Sequence, residues 1–193
     1  MIRFALSTLA CALLVACAHR TVPAPTDAAA GTAFFVAIEP HCGKAYEGRL
    51  VEGTAPGDAA IGAERLVMHV RDCSEDRLAI PFHVGTNRSR TWIVTRRAAD
   101  VVLAHDHRHE DGAPDAVTQY GGATRGPADS TTLEFHADAA TAAMIPAART
   151  NIWTMTIEPG VRFTYALRRD AEGRRFRVDF DLTRPVAVPP PAW

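Results

Sequence analysis

A run of ionisable side chains, from His105 to Asp111, contains the residue types in this sequence that are best suited to chemistry. Successive side chains of a β-strand point to opposite faces, so a strand continuing from Val101 through this run sorts them into two sets. The first set is His105, His107 and His109, and the second is Asp106, Arg108 and Glu110. Because charge near a core is costly without a purpose, the run predicts a functional site, with all six side chains gathered around one concave surface.

The histidines first suggest a metal site, with a divalent ion such as zinc. Histidine is a preferred zinc ligand, and His-x-His on a strand is a workable geometry. Same-face neighbours on a strand lie about 7 Å apart, so His105 and His109, at about 13 Å, cannot reach one ion together. A pair that includes His107 therefore needs a ligand from another strand. The available donors are His69, His83 and His136.

The same run could instead perform acid–base chemistry, because a histidine beside carboxylates has an easily tuned pKa. His107 would act with Asp106 and Glu110, provided that a twist or bulge brings the two faces together. The alternative is an ion-pair network in which Arg108 binds the carboxylates. The chain has no Gly-x-Ser-x-Gly, phosphate loop or Rossmann glycine pattern, which removes the commonest hydrolase and nucleotide-cofactor classes.

A third possibility is a small-ligand site that also includes Tyr120. Tyr120 is followed by two glycines, which permit close backbone approach but also occur in ordinary turns. Trp92 and Trp153 alternate with apolar neighbours, so they belong to the core or line a cavity for an apolar ligand. The expected ligand-binding residues are His105, Asp106, His107, Arg108, His109, Glu110 and Tyr120.

The N-terminus resembles a bacterial lipoprotein signal. Phe4–Val15 is an apolar run too short to span a bilayer, preceded by Arg3. It ends in Leu14-Val15-Ala16-Cys17, which resembles a lipobox. The resemblance implies that residues 1–16 are a signal peptide and that Cys17 is lipidated, which anchors the protein in a membrane. No Asp follows Cys17, which implies the periplasmic side of the outer membrane. The alternative is an ordinary secretory signal.

The other cysteines and the charge agree with secretion. In an oxidising compartment Cys42 and Cys73 are expected to form a disulfide, although a metal-binding thiol pair is the alternative. The formal net charge is −1. No basic stripe is interleaved with aromatic residues, so we expect no nucleic-acid partner.

The elements that position these residues are mostly short strands. After Cys17, residues 18–31 read as a Pro/Ala/Thr linker. Two short helices are predicted, capped by Thr32 and Asp138. From Ala45 the sequence alternates mostly with a period of two through about nine or ten short strands, and residues 185–193 form a Pro-rich tail.

We therefore expect an all-β domain over residues 32–184, folded as a single antiparallel meander that closes into a calycin-like or lipocalin-like barrel. Closure hides the strand edges. The likeness to calycins rests on architecture alone, and a β-sandwich is the alternative.

Three blocks resemble a family of small, uncharacterised bacterial secreted proteins and lipoproteins. The blocks are Cys42–Arg49, His105–Gly112 and Tyr120–Gly122. The resemblance covers residues 32–182 and implies no particular activity or ligand. The expected function is an outer-membrane lipoprotein that binds a small ligand or a metal at the charged strand end. The alternatives are a periplasmic enzyme and a structural or interaction protein of the envelope.

Overall fold

The computed structural model describes residues 27–125 and 131–193. The predicted signal peptide, the predicted lipidation site Cys17 and most of the predicted linker lie outside the described residues. No helix within these two ranges is long and apolar enough to cross a membrane.

The described residues form eleven β-strands, three short α-helices and two 3₁₀ turns. The helices are α1 (Asp27–Ile38), α2 (Asp58–Gly62) and α3 (Ala139–Met144), and the 3₁₀ turns are Glu39–His41 and Pro146–Ala148. The strands are β1 (Ala45–Gly53), β2 (Leu66–His69), β3 (Asp72–Cys73), β4 (Arg77–Val84), β5 (Asn87–Arg96), β6 (Val101–His107), β7 (Tyr120–Thr124), β8 (Thr132–Ala137), β9 (Ile152–Glu158), β10 (Arg162–Arg169) and β11 (Arg174–Val186).

Ten of these strands close into an antiparallel barrel. From β4 to β11 each strand pairs with the next, β11 pairs with β1, and β2 bridges β1 to β4. The two-residue β3 flanks β4. This confirms the predicted all-β, calycin-like meander barrel, and the β-sandwich alternative is wrong. Closure buries the apolar face that alternation gives to each strand.

The barrel interior is filled by the side chains that alternate with outward-facing polar ones. On β9 these are Trp153, Met155 and Ile157, each at most 1% exposed. On β10 and β11 they include Phe163, Tyr165, Phe176, Val178, Phe180 and Leu182, as the sequence pattern predicts.

One end of the barrel is plugged by α1. Phe34 and Ile38 are fully buried, and the Phe34 ring meets Phe163 edge-on at 6.4 Å. The Arg96 guanidinium lies 5.2 Å from the Phe35 ring, at the end where β5 turns into β6. We call this the closed end. His107 lies at the other end of β6, which we call the mouth.

The predicted helices are both present, with one difference in their limits. Asp138 caps α3, its side chain accepting the Thr141 amide, as predicted. The first helix begins at Asp27, before the predicted cap Thr32. A third helix, α2, follows β1 and was not predicted, because its five residues are too few to show a helical period.

A disulfide joins Cys42 to Cys73 at the closed end, which confirms the predicted pair and leaves no thiols there for a metal. The sequence separation is 31 residues, and closing such a loop stabilises the fold by about 3–4 kcal/mol in the chain-entropy model.

The Pro-rich tail returns to the barrel. The Trp193 amide donates to the Arg88 carbonyl at 3.2 Å, and Arg88 Nη1 donates to the Pro191 carbonyl at 2.9 Å. The Arg88 guanidinium also lies 5.7 Å from the Trp193 ring. Since Val186 pairs with Ala45 at the closed end, the tail crosses the outside of the barrel towards the mouth.

Candidate functional site

The strand that carries the ionisable run ends earlier than predicted. β6 stops at His107, and Arg108 makes only an isolated bridge to Pro114. The chain then turns, with the Gly112 amide donating to the His109 carbonyl and Gly112 in the left-handed region at φ +84°. This turn begins at His109 and takes that residue out of the strand.

The six predicted side chains consequently separate into three places. His105 and His107 point into the barrel, in phase with the buried Val101 and Leu103. Asp106 and Arg108 lie on the outer side and pair with each other, Arg108 Nε donating to Asp106 Oδ2 at 2.9 Å. His109 and Glu110 are exposed. The prediction of one shared concave surface is therefore wrong, because strand alternation parts the two faces and the turn releases the last two residues.

His105 is a neutral, fully bonded interior residue. It is 4% exposed, and Nδ1 lies 3.0 Å from the Tyr120 carbonyl, which can only accept, so Nδ1 carries the proton. Nε2 then accepts from the Tyr165 hydroxyl at 2.8 Å. Burial lowers the pKa of His105 to about 3.

The described residues do not assemble the predicted metal site of His105, His107 and His109. Both ring nitrogens of His105 are used by protein groups, and His109 lies in solvent. The proposed third ligands sit on the outer side, out of phase with the inward residues of their strands; they are His69, His83 and His136. In residues 27–125 and 131–193, no three His, Cys, Asp or Glu side chains are grouped to hold an ion.

His107 and Tyr120 are the two predicted residues that remain at the mouth with a polar atom to offer. The Tyr120 hydroxyl lies 3.1 Å from His107 Nε2, and its ring stacks on His105 at 4.6 Å. Burial lowers the pKa of His107, and the neighbouring Arg90 lowers it further. Burial raises the pKa of Tyr120. Both groups are therefore neutral at neutral pH.

The two glycines after Tyr120 allow neighbouring strands to approach closely. A Cβ on Gly121 would lie 1.9 Å from the Leu103 carbonyl oxygen, and one on Gly122 would lie 1.8 Å from that of His136. The backbones of β6, β7 and β8 can approach this closely only because both side chains are missing.

A cavity of about 190 Å³ opens at the mouth. Aromatic side chains form much of its wall, and Trp92 stacks on Tyr165 at 4.4 Å. Trp92 and Trp153, 2% and 1% exposed, thus belong both to the core and to the cavity lining. The volume is below the roughly 300 Å³ of common ligand pockets. It exceeds the roughly 150 Å³ that admits benzene, so the cavity fits a single ring.

An ion pair at the mouth joins distant parts of the chain. Arg174 Nη2 donates to Asp58 Oδ1 at 2.9 Å, and Nη1 binds the second carboxylate oxygen. Asp58 is 4% exposed and also accepts the Ala55 amide at 2.9 Å. The pair fixes α2 over the start of β11. The sequence gives no sign of it, because 116 residues separate the partners.

Arg90 and Asn151 also line the cavity, and neither was predicted. Arg90 Nη1 donates to Asn87 Oδ1 at 3.1 Å, and no carboxylate of the described residues pairs with Arg90. Asn151 is 8% exposed, and its buried Oδ1 has no hydrogen-bond partner in the described residues. A signal for Arg90 was present, since it alternates in phase with Trp92 on β5 and must point inward.

Comparison of the chain with protein-family models, with curated proteins and with solved structures finds no match. The cavity at the mouth and its charges are therefore the observations from which a function can be inferred. The lining residues lie on α2, on β4 to β7, on β9 to β11 and just before β9.

Proposed function

We propose that the protein is a lipid-anchored lipoprotein of the outer membrane whose barrel binds a compact ligand at its mouth. The observation that carries the binding role is Arg90, a guanidinium that lines the cavity and pairs with no carboxylate of the described residues. A ligand acceptor can bind such a cation through a charge-assisted hydrogen bond, which is about twice as strong as a neutral one.

The form of the cavity supports the same role. Ligand sites in proteins combine apolar walls with a few polar groups, and the mouths of β-barrels are common places for them. Here the walls include Trp92, Trp153 and Phe176, and the polar groups include Arg90 and His107. Because α1 plugs the closed end, the mouth is the accessible route into the interior.

The anchoring role rests on the lipobox resemblance at Leu14–Cys17. Several acyl chains on one cysteine hold a protein at a membrane much more firmly than one chain, since each buried methylene contributes about 0.8 kcal/mol. The acid–base enzyme alternative loses support, because Asp106 and Glu110 lie away from the cavity.

Binding can be tested on the purified full-length protein with a panel of single-ring compounds, read by thermal unfolding and by ligand-observed NMR. We expect several compounds to raise the melting temperature, because a ligand at 100 times its Kd stabilises the fold by about 2.7 kcal/mol.

A matched pair of variants locates the binding. Leu167 lines the cavity, so Leu167→Trp should fill it and abolish the response. Ala166→Trp, one residue away on the opposite face of β10, should leave the response intact. A panel without any stabilising compound, or an equal response in both variants, would refute binding in this cavity.

A further inference from the structure

We infer that residues 187–193 form a strap over the outer face of the barrel, and that protonation of His83 beneath the strap releases it in acid. This inference is independent of the proposed ligand-binding function. The strap follows Val186, which pairs with Ala45 of β1, and it reaches Arg88 of β5. Its seven residues span at most about 25 Å, so it takes the shorter way between these strands, across the outer faces of β2 and β4.

Outward-facing side chains are buried where the strap passes. Val67 on β2 and Ala79 on β4 alternate with side chains of the interior, yet they are 3% and 0% exposed. His83 is 4% exposed, and its Nε2 is buried with no hydrogen-bond partner in the described residues. Glu47, which pairs with Val67 from β1, is by contrast exposed. The strap is therefore the cover over the outer face of β2 and β4.

The strap is weakly held. Its hydrogen bonds within the described residues both involve Arg88, which accepts from the Trp193 amide at 3.2 Å and donates to the Pro191 carbonyl at 2.9 Å. The three prolines at 189–191 have no N–H, so they cannot add donors to a sheet. Trp193 Nε1 is also buried without a partner in these residues. Docking thus leaves two polar atoms unpaired, this one and His83 Nε2, and each costs free energy.

The surroundings of His83 keep it neutral beneath the strap. Burial is the main cause that lowers its pKa to about 4, and the neighbouring His69, Arg88 and Arg71 contribute in the same direction. A proton on the docked His83 would be a buried charge among cationic neighbours. Removal of the strap would expose this charge to water, which stabilises it.

The carboxylates around this face do not offset the cations. They are directed to other groups, Asp72 to Arg71, Glu47 to Arg65 and Glu64 to the turn at Gly85. The strap itself has no charged side chain. Release is consequently the way in which a protonated His83 gains stabilisation.

The direction of the pH effect follows from the two states. With the strap released, the pKa of His83 returns towards the ordinary histidine value of about 6.5. With the strap docked, it stays at about 4. Protons therefore favour the released state, and the docking equilibrium constant should fall as the pH falls between these values. From pH 7.5 to pH 5 the decrease is at most about 30-fold, since each pH unit below the higher pKa contributes up to about tenfold.

The test is the alkylation rate of a thiol placed beneath the strap in the full-length protein. Val67→Cys is treated with iodoacetamide, and labelling of that position is followed by peptide mass spectrometry. Val51→Cys, at a position of β1 that is 44% exposed, corrects for the pH dependence of the thiol reaction. We expect the rate at position 67, divided by the rate at position 51, to rise about 10- to 30-fold from pH 7.5 to pH 5.

Three further substitutions, each made in Val67→Cys, assign the effect. Trp193→Ala should raise the rate at pH 7.5, because it removes the ring that lies 5.7 Å from the Arg88 guanidinium. His83→Gln should abolish the pH dependence of the ratio. His109→Gln, at an exposed histidine of the mouth, is the matched control and should preserve it.

The outcomes separate the strap from its trigger. An unchanged rate in Trp193→Ala would show that residues 187–193 do not cover this face. A ratio that stays constant with pH, or that rises equally in His83→Gln, would overturn the release by protonation of His83.

Discussion

At the scale of single residues, His105 is a titratable side chain that burial in the barrel keeps neutral. It is buried against Tyr120, Tyr165 and Trp153, and both its nitrogens are already bonded. His105 consequently acts as a neutral, hydrogen-bonded side chain that packs among aromatic rings. His83, on the outer side of β4, is also buried, and burial lowers its pKa to about 4.

This arrangement predicts a pH dependence of stability. In the unfolded chain a histidine gains a proton below about pH 6.5. Folded His105 gains one only near its pKa of about 3. Between these values protons favour the unfolded state, so the free energy of unfolding should fall as the pH falls from 6.5. The slope per histidine is at most about 1.4 kcal/mol per pH unit.

Urea unfolding of the parent and of His105→Gln at pH 7.5, 6 and 5 measures this slope. The variant is expected to be the less stable protein at pH 7.5, because it loses packing in the wall. Its deficit should shrink towards pH 5, since only the parent must protonate this site on unfolding. Two parallel pH curves would contradict the assignment to His105.

Sequence reasoning found the two inward histidines because strand alternation is strictly local. It could not find Asn151 or the Asp58–Arg174 pair, whose roles depend on contacts across the barrel. It also assigned Asp106 and Arg108 to the site, although strand alternation places them on the face opposite to His105 and His107.

At the scale of elements, the connection from β6 to β7 is held from outside the barrel by Asp106. Its carboxylate accepts from Arg108 Nε at 2.9 Å and from Gln119 Nε2 at 2.6 Å. Gln119, immediately before Tyr120, has a positive φ of 61°, a backbone conformation that residues other than glycine rarely adopt. Asp106 thus helps to fix the residue that leads into the cavity wall.

Asp106→Ala should destabilise the domain by about 1–3 kcal/mol, because Arg108 and Gln119 each lose a partner. The Asp106 side chain is only 14% exposed, which makes the loss larger than for a surface pair. Glu110→Ala, three residues beyond β6 and exposed, is the control and should be nearly neutral. Denaturant melts of both variants beside the parent decide the matter, and an unchanged midpoint for Asp106→Ala would show that the connection does not depend on this carboxylate.

The elements themselves were largely predictable. Period-two alternation identified the meander from β8 to β11, and the Asp138 cap identified α3. The limits of β6 and β7 were less accurate. β7 begins only at Tyr120, because the left-handed Gln119 interrupts an extended chain there.

At the scale of the whole molecule, the two ends of the barrel differ, since α1 plugs one end and the cavity opens at the other. The described chain begins at α1, which plugs the closed end, and the mouth lies at the far end of the strands. The lipid proposed on Cys17 would therefore join the barrel through the chain that leads into its closed end.

Cys17→Ser should release the protein from the membrane, because serine cannot receive the thioether-linked diacylglycerol. Fractionation of cells that express the parent and the variant measures this, with the parent expected in the outer-membrane fraction and the variant in the soluble periplasmic fraction. Cys11→Ser, inside the predicted signal peptide, is the matched control and should fractionate like the parent. A Cys17→Ser protein that still sediments with outer membranes would refute the lipobox interpretation.

The plug also determines how the barrel bears a mechanical load. A pull on the N-terminal end of α1 acts first on Phe34 and Ile38, which would have to leave the interior. The force then reaches Cys42, where the bond to Cys73 diverts part of it into the segment beside β4. Tension on a tether can thus draw out the helix, but the covalent link stops the chain from being peeled strand by strand from β1 onwards.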